Sequence, residues 1–307
     1  MKKLSILIPS RNEMFLKNTV EDILKNKEDD TEVIVGLDGS WADPPLEQHP
    51  DVKVIHVNES IGQRAMTNVC ARLSRAKYVM KLDAHCAFSK GFDRIMIEDM
   101  KDHYTMTPLM RNLWVFDWKC MKCGKKWYQG PEPTKCQENN FKGTGKPCDS
   151  QKFARKIVWI GKHNPQSYSY RFNNQLEFKY WSEYRSRQTG DIVDTLGLPG
   201  SCFMCTRDKY WELNICDESW GSWGGQGSEV SLKTWLSGGE VKVNKKCWYA
   251  HMFRTQPGFS HPYPNPARDQ LRAKDTLRAT FLQDKWPLAK YKLRWLIDKF
   301  SPVPDWD

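Results

Sequence analysis

Short apolar runs and amphipathic stretches alternate along the first third of the chain. Leu4 to Pro9 is apolar and ends at a proline, before the polar Ser10-Arg11-Asn12-Glu13. Met14 to Lys25 places Phe15, Leu16, Val20, Ile23 and Leu24 at helical spacing. Glu32 to Leu37 reads as a second strand closed by Asp38-Gly39-Ser40, and Val52 to Val57 as a third. Gly62 to Arg75 reads as a helix and Tyr78 to Leu82 as the fourth strand. Strand and helix in alternation predict a parallel sheet with crossover helices. Further on, the glycine-rich turn Trp223-Gly224-Gly225 leads into a helix through Trp235, which Gly238-Gly239 ends. Glu240 to Val243 then makes a strand, Thr255 to Pro266 reads as a mobile loop, and the chain is helical and basic from Ala267.

The fourth strand ends in Asp83-Ala84-His85, two ligand-type side chains separated by one residue. Open α/β sheets bind ligands at the carboxyl ends of their strands. Alternation of side chains along a strand puts residues i and i+2 on one face, so Asp83 and His85 can reach one metal ion. Oxygen plus imidazole suits manganese better than calcium. The competing reading is a strand end with a loop aspartate. A nucleotide fits this kind of sheet, yet no Gly-x-Gly-x-x-Gly turn follows the first strand, so it must be held another way.

Composition adds three constraints. With 39% hydrophobic and 12% aromatic residues, the 307-residue chain can bury a core, which excludes wholesale disorder. No apolar stretch approaches the roughly 20 residues of a membrane span, and Leu4 to Pro9 is too short for a signal peptide, so a cytoplasmic protein is expected. Charge is unevenly placed: Arg111 to Arg187 holds 16 Lys and Arg against 6 Asp and Glu, a net +10 equal to that of the whole chain. That segment is therefore a candidate surface for a polyanion. Between Phe153 and Arg187 it interleaves basic residues with tyrosine and tryptophan, which suits phosphates and bases, or equally a solvated surface with ordinary packing aromatics.

Ten cysteines without a secretory signal point to metal ligation or free thiols rather than disulfides. Cys120-Met121-Lys122-Cys123-Gly124 is a Cys-x-x-Cys knuckle whose glycine permits positive φ. Cys136 and Cys148 complete four thiols within 29 residues among turn formers that cannot build a core. Tetrahedral zinc would supply the missing stability, although the second pair is spaced more widely than in a zinc ribbon. Cys202 and Cys205 lie in what looks like a buried strand and are expected to bind no metal.

Taken in order, these motifs resemble family 2 glycosyltransferases of the GT-A fold, most closely the catalytic domain of polypeptide N-acetylgalactosaminyltransferases. Ile8-Pro9-Ser10-Arg11-Asn12-Glu13 resembles the family's opening strand and loop, and Asp38 its nucleoside-contacting aspartate. Gly62-Gln63-Arg64-Ala65 with Asn68 resembles the helix under the diphosphate, and Asp83-Ala84-His85 the metal motif. Trp223-Gly224-Gly225 through Glu229-Val230-Ser231 is similar to the subgroup's Trp-Gly-Gly-Glu-Asn-x-Glu-x-Ser, with Gln226 in place of its first glutamate. His251-Met252-Phe253-Arg254 matches His-x-Phe-Arg, whose histidine is the third metal ligand, and His261-Pro262-Tyr263 resembles the loop that closes over the donor.

The resemblance implies an α/β GT-A fold, a Rossmann-like mixed sheet, with a cysteine-rich zinc-binding insertion and C-terminal helices. It implies a nucleotide-sugar half over residues 1–110, the insertion over 111–187, a catalytic half over 188–265 and a helical segment over 266–307. The implied metal ligands are Asp83, His85 and His251, for Mn2+ or Mg2+, with Cys120, Cys123, Cys136 and Cys148 holding structural zinc. The implied donor contacts are Pro9, Arg11, Glu13, Asp38, Arg64, Asn68, Asp83, Trp223, Gly224, Gly225, His261 and Tyr263. Glu229, Arg254 and Asp83 would be catalytic. The activity implied is hexosyl transfer from a UDP-sugar, with retention. The basic insert suggests a polyanionic acceptor, in its sharpest form a hydroxymethylated base in DNA. A polysaccharide, a lipid-linked saccharide or a protein is the alternative. A zinc-containing nucleic-acid binder with an inactive transferase fold is a reading of another class, and Gln226 favours it.

Overall fold

The computed structural model describes residues 2–264 and 267–306. In chain order it forms β1 (Leu4–Ser10), α1 (Leu16–Asn26), β2 (Thr31–Asp38), β3 (Val52–Val57), α2 (Gln63–Leu73), β4 (Tyr78–Leu82), β5 (Cys86–Phe88) and α3 (Phe92–Glu98). Then come β6 (Tyr104–Cys120), β7 (Lys126–Tyr128), β8 (Phe153–Ser167), β9 (Tyr170–Phe172), β10 (Phe178–Tyr180), β11 (Ile192–Asp194) and β12 (Cys202–Thr206). The chain closes with α4 (Arg207–Glu212), α5 (Gln226–Leu236), β13 (Glu240–His251), α6 (Ala267–Phe281) and α7 (Leu293–Phe300).

The main sheet runs β11-β13-β6-β12-β4-β1-β2-β3. Strands β4, β1, β2 and β3 are parallel, as the strand–helix alternation predicts. The sheet as a whole is mixed, because β12 enters antiparallel between β4 and β6. Alternation along the strands divides the core. Leu7, Ile34 and Val79 face α2, α5 and α7, whereas Ile6, Ile8, Val33, Val35 and Met80 face α1 and α3. With both faces covered by helices, the central strands β2 and β4 are buried throughout.

Two expectations change in detail. Strand β13 does not stop at Val243 but continues through a register shift between Asn244 and Trp248 to His251. The boundary expected at 110/111 falls inside β6, which leaves the sheet core as one strand and carries the insert outward as a hairpin with β8. Cys202 and Cys205 lie in the buried strand β12, outside the thiol cluster described below. The boundary expected at 265/266 lies outside the described residues.

Candidate active site

Asp83, His85 and His251 converge at the carboxyl end of β4. Their ligand atoms all lie within 4.8 Å of one another. The Nε2 atoms of the two histidines are 3.0 Å apart, and His251 Nε2 is 3.2 Å from Asp83 Oδ2. Strand alternation is not what brings them together. Residues 83–85 bend between β4 and β5, and β5 pairs antiparallel with the end of β13, setting His251 opposite Cys86. The late extension of β13 therefore delivers the third ligand.

The electrostatics fit a cation. Burial pushes His251 down to about 4, so its ring is neutral at neutral pH and can offer a lone pair. Burial alone would raise Asp83, but Lys81, His251 and His85 hold its carboxyl well below the usual range. One neutral imidazole, a second imidazole and an ionised carboxylate make a donor set suited to Mn2+ or a related divalent ion.

Further side chains orient these groups. Glu13 Oε2 lies 3.1 Å from His85 Nδ1 and accepts from Arg254 Nη2 at 2.8 Å. Burial would raise the Glu13 carboxyl, and His85 and Arg254 outweigh it and lower it. The Oδ1 atom of Asp83 takes the Lys81 ammonium and Gln63 Nε2 at 3.2 Å, which leaves Oδ2 towards the histidines. Lys81 also donates to Gly200 O at 2.7 Å. Sequence reasoning missed both Lys81 and Gln63. A lysine inside the otherwise apolar run Tyr78-Val79-Met80-Lys81-Leu82 was the available signal.

A cleft of about 740 Å³ opens over this cluster. Of the expected donor residues, Pro9, Arg11, Glu13, Asp38, Asp83, Trp223, His261 and Tyr263 line it, as do His85, His251 and Arg254. Asp38 accepts from Ser60 Oγ at 2.8 Å and from the backbone N–H groups of Ile61 and Gly62 at 2.7 and 3.1 Å. Ser222 and Asp269, which the sequence did not single out, also line the cleft.

Four expected donor residues and one catalytic residue lie elsewhere. Arg64 is buried beneath the glycine turn, donating to Gly224 O at 2.6 Å and to the Glu229 carboxylate. Asn68 is buried between Cys216 O, Glu218 and the Tyr210 hydroxyl. Gly224 and Gly225, at φ of 115° and 63°, make the turn into α5 and are not among the lining residues. Glu229 is fully buried on α5, with Lys233 Nζ at 2.6 Å on one oxygen and Arg64 on the other. Both its oxygens are engaged by cations away from the cleft lining, so the structure does not bring Glu229 into the cleft as the catalytic group the motif implied. Gln226 is likewise buried, its Nε2 donating to Cys216 Sγ. A glutamine there removes no carboxylate from the cleft.

In the insert, the sulfurs of Cys120 and Cys148 are 3.7 Å apart and those of Cys123 and Cys136 3.5 Å. All four lie within 4.8 Å of one another. Four thiolates at about 2.3 Å from one tetrahedral zinc would stand about 3.8 Å apart, so the cluster has zinc dimensions. Gly124 adopts φ of 80°, and its N–H donates to Cys120 O. Despite burial, the backbone N–H groups of Cys123 and Lys122 hold the Cys120 thiol down to about 6.

The family described as glycosyl transferase family 2 matches residues 5–115. Over those residues the chain is similar to a family 2 glycosyltransferase domain. It is 29% identical over 123 residues to polypeptide N-acetylgalactosaminyltransferase 3 of Drosophila melanogaster, covering 38% of this chain and 18% of that protein. Against probable N-acetylgalactosaminyltransferase 6 of Caenorhabditis elegans it is 21% identical over 250 residues, 79% of this chain and 34% of the relative. The chain thus spans about a third or less of the length of these relatives. A crystal structure of GalNAc-T7 with UDP, GalNAc and Mn2+ superposes with a TM-score of 0.68 at 16% identity, covering 97% of this chain and 56% of that one. The sheet is GT-A-like, as the sequence motifs implied. Among the described residues no helix is long and apolar enough to cross a membrane.

Proposed function

We propose that the protein transfers a sugar from a UDP-sugar to a hydroxyl acceptor in a metal-dependent reaction. The observation that carries this reading is the convergence of Asp83, His85 and His251 within 4.8 Å at the floor of the cleft. The similar GalNAc-T7 structure, whose crystals held UDP, GalNAc and Mn2+, supports the same choice of donor class and ion. When bound by these three residues, a divalent ion supplies a Lewis acid for the departing diphosphate. Arg254, held by Glu13, adds fixed positive charge at the cleft. Arg11, Trp223, His261 and Tyr263 wall the cleft and exclude water from the reacting centre.

Retention of anomeric configuration is the outcome we favour. Glu13, Asp38, Asp83 and Asp269 are the carboxylates that line the cleft, and each already accepts a hydrogen bond from the protein. Among the described residues each cleft carboxylate is thus already held by a protein donor, which favours a structural or orienting role over that of a base for the acceptor hydroxyl. The bond from the anomeric carbon to the diphosphate would break, the acceptor oxygen would replace it on the same face, and the acceptor proton would pass to the diphosphate.

For the acceptor we propose a hydroxylated, in particular hydroxymethylated, base in DNA, reached through the basic insert with its zinc-binding thiols. Support comes from the insert's outer face, where Lys162 Nζ lies 3.9 Å from the Tyr128 ring and 5.5 Å from Trp114, beside exposed Ile160. Cations and rings so interleaved suit phosphates and bases. Polysaccharide, lipid-linked saccharide and protein acceptors are the alternatives.

The test is manganese-dependent release of UDP from a panel of UDP-sugars, with hydroxymethylated duplex DNA as acceptor. Asp83→Ala and His251→Ala should each abolish release, and unchanged transfer by either variant would sink the reading. DNA binding should weaken steeply with salt. Flat binding, or no modified nucleoside by mass spectrometry, rejects the DNA acceptor while leaving donor chemistry intact. Failure of the wild-type protein to hydrolyse or transfer any UDP-sugar favours a binding protein with an inactive fold.

A further inference from the structure

The hairpin of β6 and β8 has two unlike faces. On its outer face Trp114 and Lys162 meet Tyr128 of β7. Its inner face carries Phe116, which packs on Phe15 at 5.7 Å and edge-on against Trp118 at 5.8 Å. Against that inner face lies Phe259, from the segment that also supplies His261 and Tyr263 to the cleft. Its ring meets Phe116 edge-on at 5.9 Å, and the Arg254 guanidinium sits 4.8 Å from its centroid.

A second contact lies beside the first. Trp118 Nε1 donates to Gly130 O at 3.0 Å, and Gln129 N donates to Phe116 O at 3.1 Å, fixing residues 129–130 onto β6. Gly130 adopts φ of 114° and lies so close to the Gln256 side chain that a Cβ there would stand 3.3 Å from two of its carbons. A side chain at 130 would push Gln256 away. From Arg254 to Pro264 the chain has no helix or strand; its turn from Phe259 N to Gln256 O at 3.0 Å and the bond from Asn12 Nδ2 to Pro262 O at 3.0 Å leave much of its placing to side-chain contacts with other segments.

We infer that the inner face of the insert is the seat of the segment covering the donor cleft: Phe116 and Gly130 position Phe259 and Gln256, and through them His261 and Tyr263. This rests on the reading of the cleft as a UDP-sugar site. The residues of the seat are positioning residues, since none of Phe116, Gly130, Phe259 or Gln256 lines the cleft. Arg254 links seat to site, because the guanidinium that stacks on Phe259 also pairs with Glu13 beside His85. The insert thereby acts on the donor as well as on any acceptor.

The experiment compares the whole protein with Phe259→Ala, Phe259→Tyr and Phe116→Leu. It measures UDP affinity in Mn2+ by calorimetry, KM and kcat for the UDP-sugar, and amide exchange across residues 255–264. Loss of an edge-on ring pair should raise KM and the UDP dissociation constant roughly tenfold in Phe259→Ala and Phe116→Leu. In both, the protection of 255–264 by UDP should be lost while kcat falls less than KM rises, and Phe259→Tyr should restore wild-type behaviour. A merely structural role would lower the melting temperature without that split. Wild-type affinity and protection in Phe259→Ala overturn the inference, as does a KM rise in Phe259→Ala that Phe116→Leu does not share. A wild-type protein that binds no UDP overturns the reading of the cleft itself, and this inference with it.

Discussion

The Glu13 carboxylate stands 3.1 Å from His85 Nδ1, on the opposite side of the ring from the nitrogen that faces His251. A carboxylate at that nitrogen favours the tautomer with the proton on Nδ1, which turns the Nε2 lone pair towards the cluster. Glu13→Gln keeps the shape and removes the charge. We expect Mn2+ affinity to fall roughly 10- to 100-fold, the cost of losing such a partner. Free Mn2+ titrated by electron paramagnetic resonance checks this without any turnover.

Glu229 joins Arg64 and Lys233 in a triad with almost no solvent exposure. Removing its charge strands two buried cations. Glu229→Gln should destabilise the fold by about 3–5 kcal/mol, seen as a lower midpoint in urea unfolding. A variant of normal stability with no transferase activity would instead return Glu229 to catalysis.

Lys209 is buried, donates to His103 O at 2.5 Å, and has no carboxylate in ion-pair range among the described residues. Burial pushes it down from 10.5 to about 8. Between those values the unfolded chain holds the proton that the folded chain has lost, so stability rises with pH through that window. Below about pH 8 the penalty is present in full. Lys209→Met should stabilise the protein at pH 7 by roughly 1–3 kcal/mol, after the lost hydrogen bond is discounted, and should flatten the slope between pH 8 and 10.5. Thermal unfolding across that range reads both effects.

The four insert sulfurs already have the spacing of a tetrahedral zinc site. Purified protein should contain about one zinc per chain by atomic emission, and Cys148→Ser should release it. Because Cys120 ends β6 and Cys136 follows the segment that braces Gln256, zinc loss should also raise amide exchange at 255–264. Full zinc content in Cys148→Ser would show that Cys148 is no ligand.

Much of the architecture was readable along the chain. Near-continuous apolar runs at Leu4–Ser10, Thr31–Asp38 and Tyr78–Leu82 needed a sheet covered on both faces, and the amphipathic stretches between them supplied the covering helices. Asp83-Ala84-His85 at a strand end, and Cys-x-x-Cys followed by glycine, were legible because their chemistry is local. Assigning Arg64, Asn68 and Glu229 to the site failed for a common reason. Motif order shows which segments meet, but not which side of a helix or turn faces the cleft.

Local sequence thus determined the strands, the helices, the glycine turns and the identity of the metal-type ligands, since each depends on side chains a few residues apart. Tertiary structure alone decided that His251 stands against His85, through the pairing of β13 with β5. It also decided that Lys81 neutralises Asp83, that Glu229 is sealed between two cations, and that Phe259 rests on the insert. Those relationships join residues far apart in the chain, and packing rather than local preference chooses between pointing a charge into a cleft and burying it beneath one.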